Sequence, residues 1–304
     1  MELVVLSGKG GTGKTTVAVA LSELAKDAVR VDCDVDAPNF YLFYEGEDLK
    51  QEDFYGGKKA VIDKTLCTQC GVCEKYCNFD AIKDNEINVY KCEGCGACVY
   101  ICTEKAVKLL DEKSADVFIT KTSKGILSRA KMEIGSEGSG KLISVLRKNS
   151  REFNKKDRET KDNNSSLLEH FKGIFKKQTQ LTVIDGSPGI GCSVISSVTG
   201  CDLALIVTEP TKAGMEDFMR VMSLCQHFEV PTLVCINKYD INEEIAKEIE
   251  NFCTEEGFKV VGKIPYDDIV MVSINQLKPI TDYKDSAAKK AIENMWNNIK
   301  SIIY

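Results

Sequence analysis

With 304 residues, of which 43% are hydrophobic, the chain is long enough to bury a sizeable core. Forty Lys and Arg against forty-six Asp and Glu give a net charge of -6, which disfavours non-specific attraction to nucleic acid or anionic lipid. The sequence has no run of the roughly 18 apolar residues that a membrane span needs, and it opens without the pattern of a secretion signal. We therefore expect a cytoplasmic protein with neither nucleic acid nor a membrane as its partner.

The first elements along the chain are typical of a βαβ unit. Residues 3–6 are apolar and predict a strand, a glycine-rich loop follows, and residues 15–26 have the periodicity of a helix. A second short apolar run, 28–31, predicts the next strand. This order predicts the opening of an α/β domain.

Residues 56–110 interrupt that pattern. They are dense in Cys and Gly, and they consist of two similar halves offset by 25 residues, so that Cys67 of the first half corresponds to Cys92 of the second. Clustered cysteines in an intracellular chain indicate metal or redox chemistry rather than disulfides. We interpret 56–110 as a module inserted into a domain made of residues 1–55 and 111–304.

After the inserted module the alternation of strands and helices resumes. Residues 116–120 predict a strand, a helix is expected from near Gly140, and residues 147–166 are nearly all charged or polar. We interpret this polar stretch as a solvated helix end and a mobile loop, with a binding tail as the alternative. Four further strands are predicted at 181–185, 203–208, 232–237 and 259–264. Strands separated by amphipathic helices indicate an α/β fold with a largely parallel sheet and helices on both faces.

A phosphate-binding loop is predicted between the first strand and the first helix. Residues 8–15, Gly-Lys-Gly-Gly-Thr-Gly-Lys-Thr, fit the P-loop pattern in that position. The glycines let backbone N–H groups surround phosphate oxygens, Lys14 reaches the outer phosphates, and the Thr15 hydroxyl can ligate Mg²⁺. The predicted phosphate-binding residues are Gly8, Gly10, Gly11, Thr12, Gly13, Lys14, Thr15 and Thr16.

Two carboxylates are expected beside this loop, at the carboxyl ends of neighbouring strands. Asp185 closes an apolar run and is the candidate Walker B residue, which holds Mg²⁺ directly or through water. Asp34 is expected to orient the attacking water and to approach the metal. Thr15, Asp34 and Asp185 are therefore the predicted Mg²⁺ ligands. For Asp32 and Asp36 a simple turn or capping role stays open beside a role in the site.

The loop resembles the deviant Walker A motif of the MinD, ParA, Mrp and nitrogenase iron protein ATPases. Its additional lysine, Lys9, carries this resemblance. In that family two protomers face each other across two ATP molecules, and the additional lysine reaches the partner's nucleotide. The resemblance therefore implies a homodimer in which Lys9 acts in trans, with Lys9, Lys14 and Asp34 as catalytic residues. A cation supplied in this way neutralises charge that spreads over the transferring phosphoryl group.

The resemblance extends over nearly all of the chain outside the inserted module. It implies that Asn237 and Lys238 contact the nucleotide, and that Pro265 lies in the late loop whose backbone packs against adenine. Because Asn-Lys-x-Asp is also the guanine-reading motif of GTPases, Asp240 keeps GTP open as an alternative to the favoured ATP.

Two [4Fe-4S] clusters are predicted from the cysteines of the inserted module. The spacing Cys-x2-Cys-x2-Cys-x3-Cys occurs twice, and in such runs the fourth cysteine ligates the other cluster. The predicted ligands are Cys67, Cys70, Cys73 and Cys102 for the first cluster and Cys77, Cys92, Cys95 and Cys98 for the second. Two four-cysteine zinc sites are the alternative.

The module is expected to be a small α+β domain of the bacterial ferredoxin type. Asn78 and Thr103 stand where proline usually follows the fourth cysteine, a departure that affects reduction potential rather than ligation. With this insertion the whole chain resembles the MinD-superfamily ATPases that carry an inserted ferredoxin domain.

The other cysteines and the last helix carry weaker signals. Cys192 follows Asp185 by seven residues, where the nitrogenase iron protein has a cluster-ligating cysteine, and no second such cysteine is evident in 115–160. A dimer-bridging cluster and a small residue in a glycine-rich loop are both open. The cysteines expected in the core are Cys33, Cys201, Cys225, Cys235 and Cys253. Residues 287–304 predict an amphipathic helix that docks on the sheet, with a membrane-lying helix as the alternative.

Together these patterns favour a nucleotide-gated redox protein. ATP binding would close a homodimer, hydrolysis would reopen it, and electrons or a metallocluster would pass to an unidentified acceptor protein. The alternative is an assembly or carrier ATPase for iron-sulfur or related metal cofactors, similar to the Mrp group. Such carriers have cysteines near the C-terminus, whereas the last cysteine here is Cys253. Positioning of DNA or membrane cargo, a third class, is disfavoured by the acidic charge.

Overall fold

The computed structural model describes residues 1–136, 139–163 and 180–303, and for 154–163 it describes the backbone alone. Its strands are β1 (Glu2–Ser7), β2 (Val29–Asp32), β3 (Gly46–Ile62), β4 (Ile82–Lys83), β5 (Glu86–Ile87), β6 (Val107–Thr122), β7 (Gly125–Met132), β8 (Thr182–Pro188), β9 (Leu203–Thr208), β10 (Thr232–Asn237) and β11 (Lys259–Ile264). Its α-helices are α1 (Lys14–Leu24), α2 (Val72–Lys75), α3 (Ala97–Ile101), α4 (Gly140–Asn163), α5 (Cys192–Val198), α6 (Lys212–His227), α7 (Glu243–Glu255), α8 (Asp268–Asn275) and α9 (Ala287–Ile303).

The described residues divide into two compact units. The larger unit contains Met1–Gln51, Val117–Ala130 and the described residues from Ser139 onward. The smaller unit contains Glu52–Asp116 and a short segment that begins at Lys131. The unit boundaries fall within β3, β6 and β7.

Nine strands of the described chain form one sheet, in the order β11-β10-β9-β1-β8-β2-β7-β6-β3. Neighbouring strands from β11 to β7 pair in parallel. The prediction of a largely parallel α/β sheet is therefore confirmed. Because β1, β2 and β8 run in the same direction, the loops after β1 and β2 and the end of β8 meet at one edge of the sheet.

Strand β1 shows how the sheet is covered. Leu3 and Val5 belong to the main hydrophobic core, together with side chains of α1 and α9. Val4 and Leu6 point to the opposite face and are equally inaccessible, at 0% exposure. Burial on both faces is typical of a parallel sheet packed between helices.

The last helix, α9, packs against the core of the larger unit. Ile292, Met295, Trp296 and Ile299 are buried there. The backbone of Gly262 in β11 lies so close that an added Cβ would stand 2.7 Å from Met295. The predicted docking of this helix on the sheet is confirmed, because its apolar face is occupied. No helix in the described part of the chain combines the length and apolar character of a membrane span.

The expectation that a solvated helix end begins at residue 147 is wrong. Arg147 is only 5% exposed and donates to Glu2 Oε2 at 2.6 Å, and Ser150 is also buried. Arg147 also donates to the carbonyl oxygens of Ser196 and Thr199. The charge is buried because Glu2, at the start of β1, supplies a counter-charge that no local pattern reveals. Residues 164–166 of the predicted loop lie outside the described residues.

The smaller unit repeats its backbone conformation as well as its sequence. Each half has a short helix, α2 or α3, which begins after a left-handed glycine. Positions with positive φ recur 25 residues apart, as Gln69 and Gly94, Gly71 and Gly96, and Asp80 and Lys105. Strands β4 and β5 pair antiparallel between the halves of the repeat. The two cysteine runs therefore have matching local geometry.

Candidate functional site

The glycine-rich loop connects β1 to α1, and two of its glycines have no room for a side chain. Gly13 has φ +88, and a Cβ there would lie 2.3 Å from Asn237 Nδ2. A Cβ on Gly8 would lie 2.4 Å from Asp217 Cβ. Gly10 and Gly11, by contrast, have open space around them. The loop is thus held closely against α6 and β10 at its two ends, with its tip accessible.

The predicted catalytic residues Lys14 and Asp34 meet the predicted Mg²⁺ ligands at the end of the loop, whereas Lys9 does not join them. Lys14 Nζ lies 2.6 Å from Asp185 Oδ1 and 3.3 Å from Asp34 Oδ2. The Thr15 hydroxyl donates to Asp185 Oδ2 at 2.7 Å. Lys14 and Asp185 are buried, at 5% and 0% exposure. A lysine, a hydroxyl and two carboxylates thus surround the place where a P-loop holds the outer phosphates and their metal.

Burial and charge together perturb the titration of this group. Burial raises the pKa of Asp34, and neighbouring Asp185 adds to this, while Lys14 opposes it. Burial alone would lower the pKa of Lys14, but Asp185 and Asp34 outweigh it and the pKa is raised. Lys14 is therefore held as a cation between the two carboxylates.

Asp32 adds a third acid to the same edge. Parallel pairing of β2 with β8 places it opposite Asp185. Its Oδ1 accepts the backbone N–H of Asp34 at 3.3 Å, whereas Oδ2 has no hydrogen-bond partner among the described residues. Burial, followed by the charge of Asp185, raises its pKa well above the usual range. The turn role considered for Asp32 is therefore present, in a side chain that also faces the Mg²⁺-binding acids.

Lys9 and Lys238 share one carboxylate. Glu209 lies directly after β9, and it accepts Lys238 Nζ at 2.6 Å and approaches Lys9 Nζ at 3.8 Å. Lys9 is about one-third exposed, which leaves its ammonium accessible to solvent. Glu209 was not among the site residues predicted from the sequence, although its place at the carboxyl end of a parallel strand was a usable signal.

A cavity of about 180 Å³ lies beside the loop, where the base and ribose of a nucleotide are expected. It is lined by six of the predicted nucleotide-binding residues, Gly11, Gly13, Thr16, Asn237, Lys238 and Pro265. Asn237 Nδ2 donates to the carbonyl of Thr12 at 2.7 Å. Asp240 Oδ1 accepts the backbone N–H of Tyr266 at 2.7 Å. The Asn-Lys-x-Asp segment therefore connects the phosphate loop to the late loop.

The eight cysteines of the smaller unit divide between two separate cavities. The first cavity is lined by Cys67, Cys70, Cys73 and Cys102, and the second by Cys77, Cys92, Cys95 and Cys98. These are the two sets in which the sequence grouped them. Among the described residues, no three His, Cys, Asp or Glu side chains are arranged to hold a single metal ion.

The surroundings of these cysteines suit an anionic sulfur-ligated group. Cys77 Sγ and Cys102 Sγ each accept a backbone N–H, from Ala81 at 3.4 Å and from Ala106 at 3.3 Å. Most of the cysteines pack against a small apolar core that includes Ile82. N–H donors to sulfur stabilise thiolate and cluster charge, and an apolar shell limits access of water. The donor sets thus fit two four-thiolate groups.

The remaining cysteines have two kinds of environment. Cys192 is exposed at the start of α5. The five cysteines expected to pack in the core are all buried, which confirms that prediction: Cys33, Cys201, Cys225, Cys235 and Cys253. Burial raises the pKa of Cys235 to about 12, so this thiol stays protonated and inert at neutral pH.

The model of the CbiA family, the CobQ/CobB/MinD/ParA nucleotide binding domain, matches residues 3–280. The chain belongs to this family. An uncharacterized protein of Methanocaldococcus jannaschii, MJ0578, is 33% identical over 310 residues, covering 100% of this chain and 98% of that protein. An iron-sulfur cluster carrier protein of Pyrococcus horikoshii is 30% identical over 138 residues, which cover 40% of this chain and 46% of the carrier.

The fold is similar to that of a solved MinD. The septum site-determining protein MinD of Pyrococcus horikoshii, in complex with Mg-ADP, matches with a TM-score of 0.57 at 17% identity, covering 99% of this chain and 96% of that one. At this identity the likeness concerns the fold. Membership of the CobQ/CobB/MinD/ParA family gives the larger unit a nucleotide-binding role, in agreement with the loop geometry.

Proposed function

We propose that the protein is a Mg²⁺-dependent ATPase whose nucleotide-driven dimer switch controls electron transfer through two [4Fe-4S] clusters. The proposal depends on one observation: the same chain contains a buried Lys14–Asp185 pair in contact with Thr15 and two four-cysteine cavities. The first supplies a nucleotide switch, and the second supplies sites for one-electron carriers.

On the ATPase side, each residue has a role that follows from its position. ATP would replace the contact between Lys14 and Asp185, so that Lys14 turns to the outer phosphates. Asp185 and Thr15 would then share Mg²⁺, and Asp34 would orient the attacking water. Breaking a buried ion pair on nucleotide binding gives the two states different contacts, which a switch requires.

Dimer formation would complete the site. Glu209 holds Lys9 weakly, at 3.8 Å, and the lysine is accessible enough to leave. In the proposed dimer each Lys9 would approach the partner's nucleotide and stabilise the transferring phosphoryl group, as the loop's resemblance to the deviant Walker A motif implies. Hydrolysis would therefore depend on protein concentration.

On the redox side, Cys67, Cys70, Cys73 and Cys102 would hold one cluster, and the four cysteines of the second cavity would hold the other. Such clusters, when bound, store and release single electrons. The chain's backbone N–H groups donate hydrogen bonds to the sulfurs, and its apolar side chains exclude water. The chain would also present both sites to an acceptor protein.

The proposal is tested on protein purified without oxygen. We expect eight irons and eight sulfides per chain, Mg²⁺-dependent ATP hydrolysis, and a rate of acceptor reduction that changes with nucleotide. Lys14→Met should abolish the nucleotide effect and keep the iron. Cys95→Ala should lower the iron content and keep ATP binding. Acceptor reduction that is indifferent to nucleotide in every state would contradict the coupling, and an iron count far below eight would contradict the clusters.

A second candidate function is an assembly or carrier ATPase for iron-sulfur or related metal cofactors. It is favoured by the similarity to an iron-sulfur cluster carrier protein, which covers 40% of this chain. Transfer of cluster to an apo acceptor distinguishes the two functions, because a resident electron carrier keeps its iron while a carrier protein loses it. Counting the iron left on the protein after incubation with the acceptor decides between them.

A further inference from the structure

The two cysteine cavities differ at positions that the 25-residue repeat makes equivalent. Lys59 and Ala60 lie beside the second cavity, and the positions 25 residues later are Asp84 and Asn85, beside the first. A cation on one side thus corresponds to an anion on the other. The two sites can therefore be compared directly, because they share the same local backbone and differ in these side chains.

Lys59 contacts a cysteine of the second cavity directly. Its Nζ donates to the carbonyl oxygen of Cys92 at 2.7 Å. The side chain is 23% exposed, and its other partner, Glu112, is more distant, at 3.5 Å, and more exposed. The ammonium is therefore held against the cysteine, and its charge is only partly offset.

The second cavity also has one more N–H donor to sulfur. Ala60 N donates to Cys92 Sγ at 3.4 Å, in addition to the bond that Ala81 gives to Cys77. In the first cavity Cys102 accepts the equivalent bond from Ala106, but no described N–H donates to Cys67 Sγ. One sulfur of the second set is thus hydrogen-bonded where its counterpart is not.

Two acidic residues, Glu74 and Asp84, adjoin residues that line the first cavity, Cys73 and Asn85. Glu74 directly follows Cys73, and its Oε2 accepts the backbone N–H of Asp84 at 3.1 Å, so the Glu74 carboxylate lies against the backbone of Asp84. In the cavity linings themselves each site has one acid, Glu104 in the first and Glu93 in the second, and these balance. At the positions that differ, the second site has Lys59, which is paired with Glu112, and the first site has Glu74 and Asp84.

Burial of the second site would lower its reduction potential, but this effect does not decide which cluster has the higher potential. Cys92 is 8% exposed, and low polarity alone disfavours the extra negative charge of a reduced cluster. The same low polarity strengthens the attraction of that charge to Lys59, whose side chain is only 23% exposed. The cation and the additional N–H bond therefore determine the order.

We propose that the cluster held by the second cavity has the higher reduction potential, so that an electron resides there. Lys59 is the residue that raises this potential. The inference rests on the proposed function, because it assumes that both cavities hold [4Fe-4S] clusters. Cluster potentials respond to nearby charge and to N–H bonds on sulfur, which are the two features that differ.

The test is an EPR-monitored redox titration of the anaerobically purified protein and two charge variants. We expect two one-electron transitions. Lys59→Gln should lower the upper transition and leave the lower one in place, and Asp84→Asn should raise the lower one alone. Loss of Lys59 should decrease the equilibrium constant for transfer between the clusters by about tenfold, which is about 59 mV for one electron.

Lys58→Gln is the matched control, because it removes the same charge one residue away. Lys58 pairs with Asp111 and is largely exposed. A single unsplit transition, a shift of the lower transition in Lys59→Gln, or an equal shift in Lys58→Gln would overturn the inference. Those results require eight irons per chain in every variant. A wild-type iron count far below eight would instead overturn the proposed function itself.

Discussion

Replacing Lys14 by methionine tests how the nucleotide site is held together before nucleotide binds. The ammonium is buried and lies within 3.3 Å of two carboxylates, those of Asp185 and Asp34. Methionine keeps most of the length of the side chain and removes its charge. Breaking a buried ion pair by removing one partner costs about 3–5 kcal/mol, because the remaining charge is left uncompensated. We expect the free energy of unfolding to fall by that amount.

The double variant Lys14→Met, Asp185→Asn separates loss of charge balance from loss of contacts. Asparagine can still accept a hydrogen bond from the Thr15 hydroxyl, which donates to Asp185 at 2.7 Å in the wild type. With both charges gone, no buried charge of this pair is left unpaired, so the double variant should be more stable than Lys14→Met alone. Urea unfolding with an unchanged m-value measures the free energies of the wild type, Lys14→Met, Asp185→Asn and the double variant.

The loss of stability in Lys14→Met should also depend on pH. Burial already raises the folded-state pKa of Asp34 above its ordinary value of 3.8. A carboxyl with a raised folded-state pKa binds its proton more readily in the folded chain, so it costs stability above that pKa and ceases to do so as the pH falls through it. Removing Lys14 takes away a charge that lowers this pKa. The stability deficit of Lys14→Met should therefore shrink as the solution is acidified toward the ordinary aspartate pKa of 3.8.

Additive costs in the double variant, or a deficit that grows on acidification, would refute this reasoning. Lys9→Met provides the comparison within the same loop. Lys9 is about one-third exposed and 3.8 Å from its partner, so its removal should change stability by no more than about 1 kcal/mol.

Three further outcomes are expected. Gly13→Ala should weaken ATP binding at least about tenfold by calorimetry, because the new methyl group meets Asn237 Nδ2 at 2.3 Å and the backbone has φ +88. Glu209→Gln should release Lys9 and Lys238, so that ATP hydrolysis rises at low protein concentration while the unfolding free energy changes little. Trp296→Ala should lower the free energy of unfolding by about 3–5 kcal/mol in urea, because this side chain is buried in the core.

Each of these variants has a counterpart that should behave like wild type. Gly57→Ala adds a carbon that meets no atom within 4 Å, and Glu216→Gln removes an exposed charge from α6. Ile302→Ala removes a side chain that is 42% exposed on the same helix as Trp296. Equal effects within any pair would show that the contact named for it is not the cause.

Local sequence patterns accounted for much of the larger unit. The predicted strands 203–208, 232–237 and 259–264 coincide with β9, β10 and β11. Apolar runs bounded by polar residues predict such strands well, because a strand buried on both faces needs continuous apolar residues. β3 was not predicted, and β6 begins at Val107 rather than at residue 116, because both strands carry many charged residues where they pass through the smaller unit.

The sequence by itself indicated a nucleotide-binding loop and predicted two iron-sulfur sites. A glycine loop that ends in Lys14 and Thr15, and two cysteine runs 25 residues apart, are complete within short segments, so their spacing is enough to indicate their use. Tertiary structure decided which partners these residues have. Asp185 reaches Lys14 across 171 positions, and Arg147 reaches Glu2 across 145. Strand order brings such partners together, and no local pattern records it, because hydrophobic periodicity reports only which face of an element is buried.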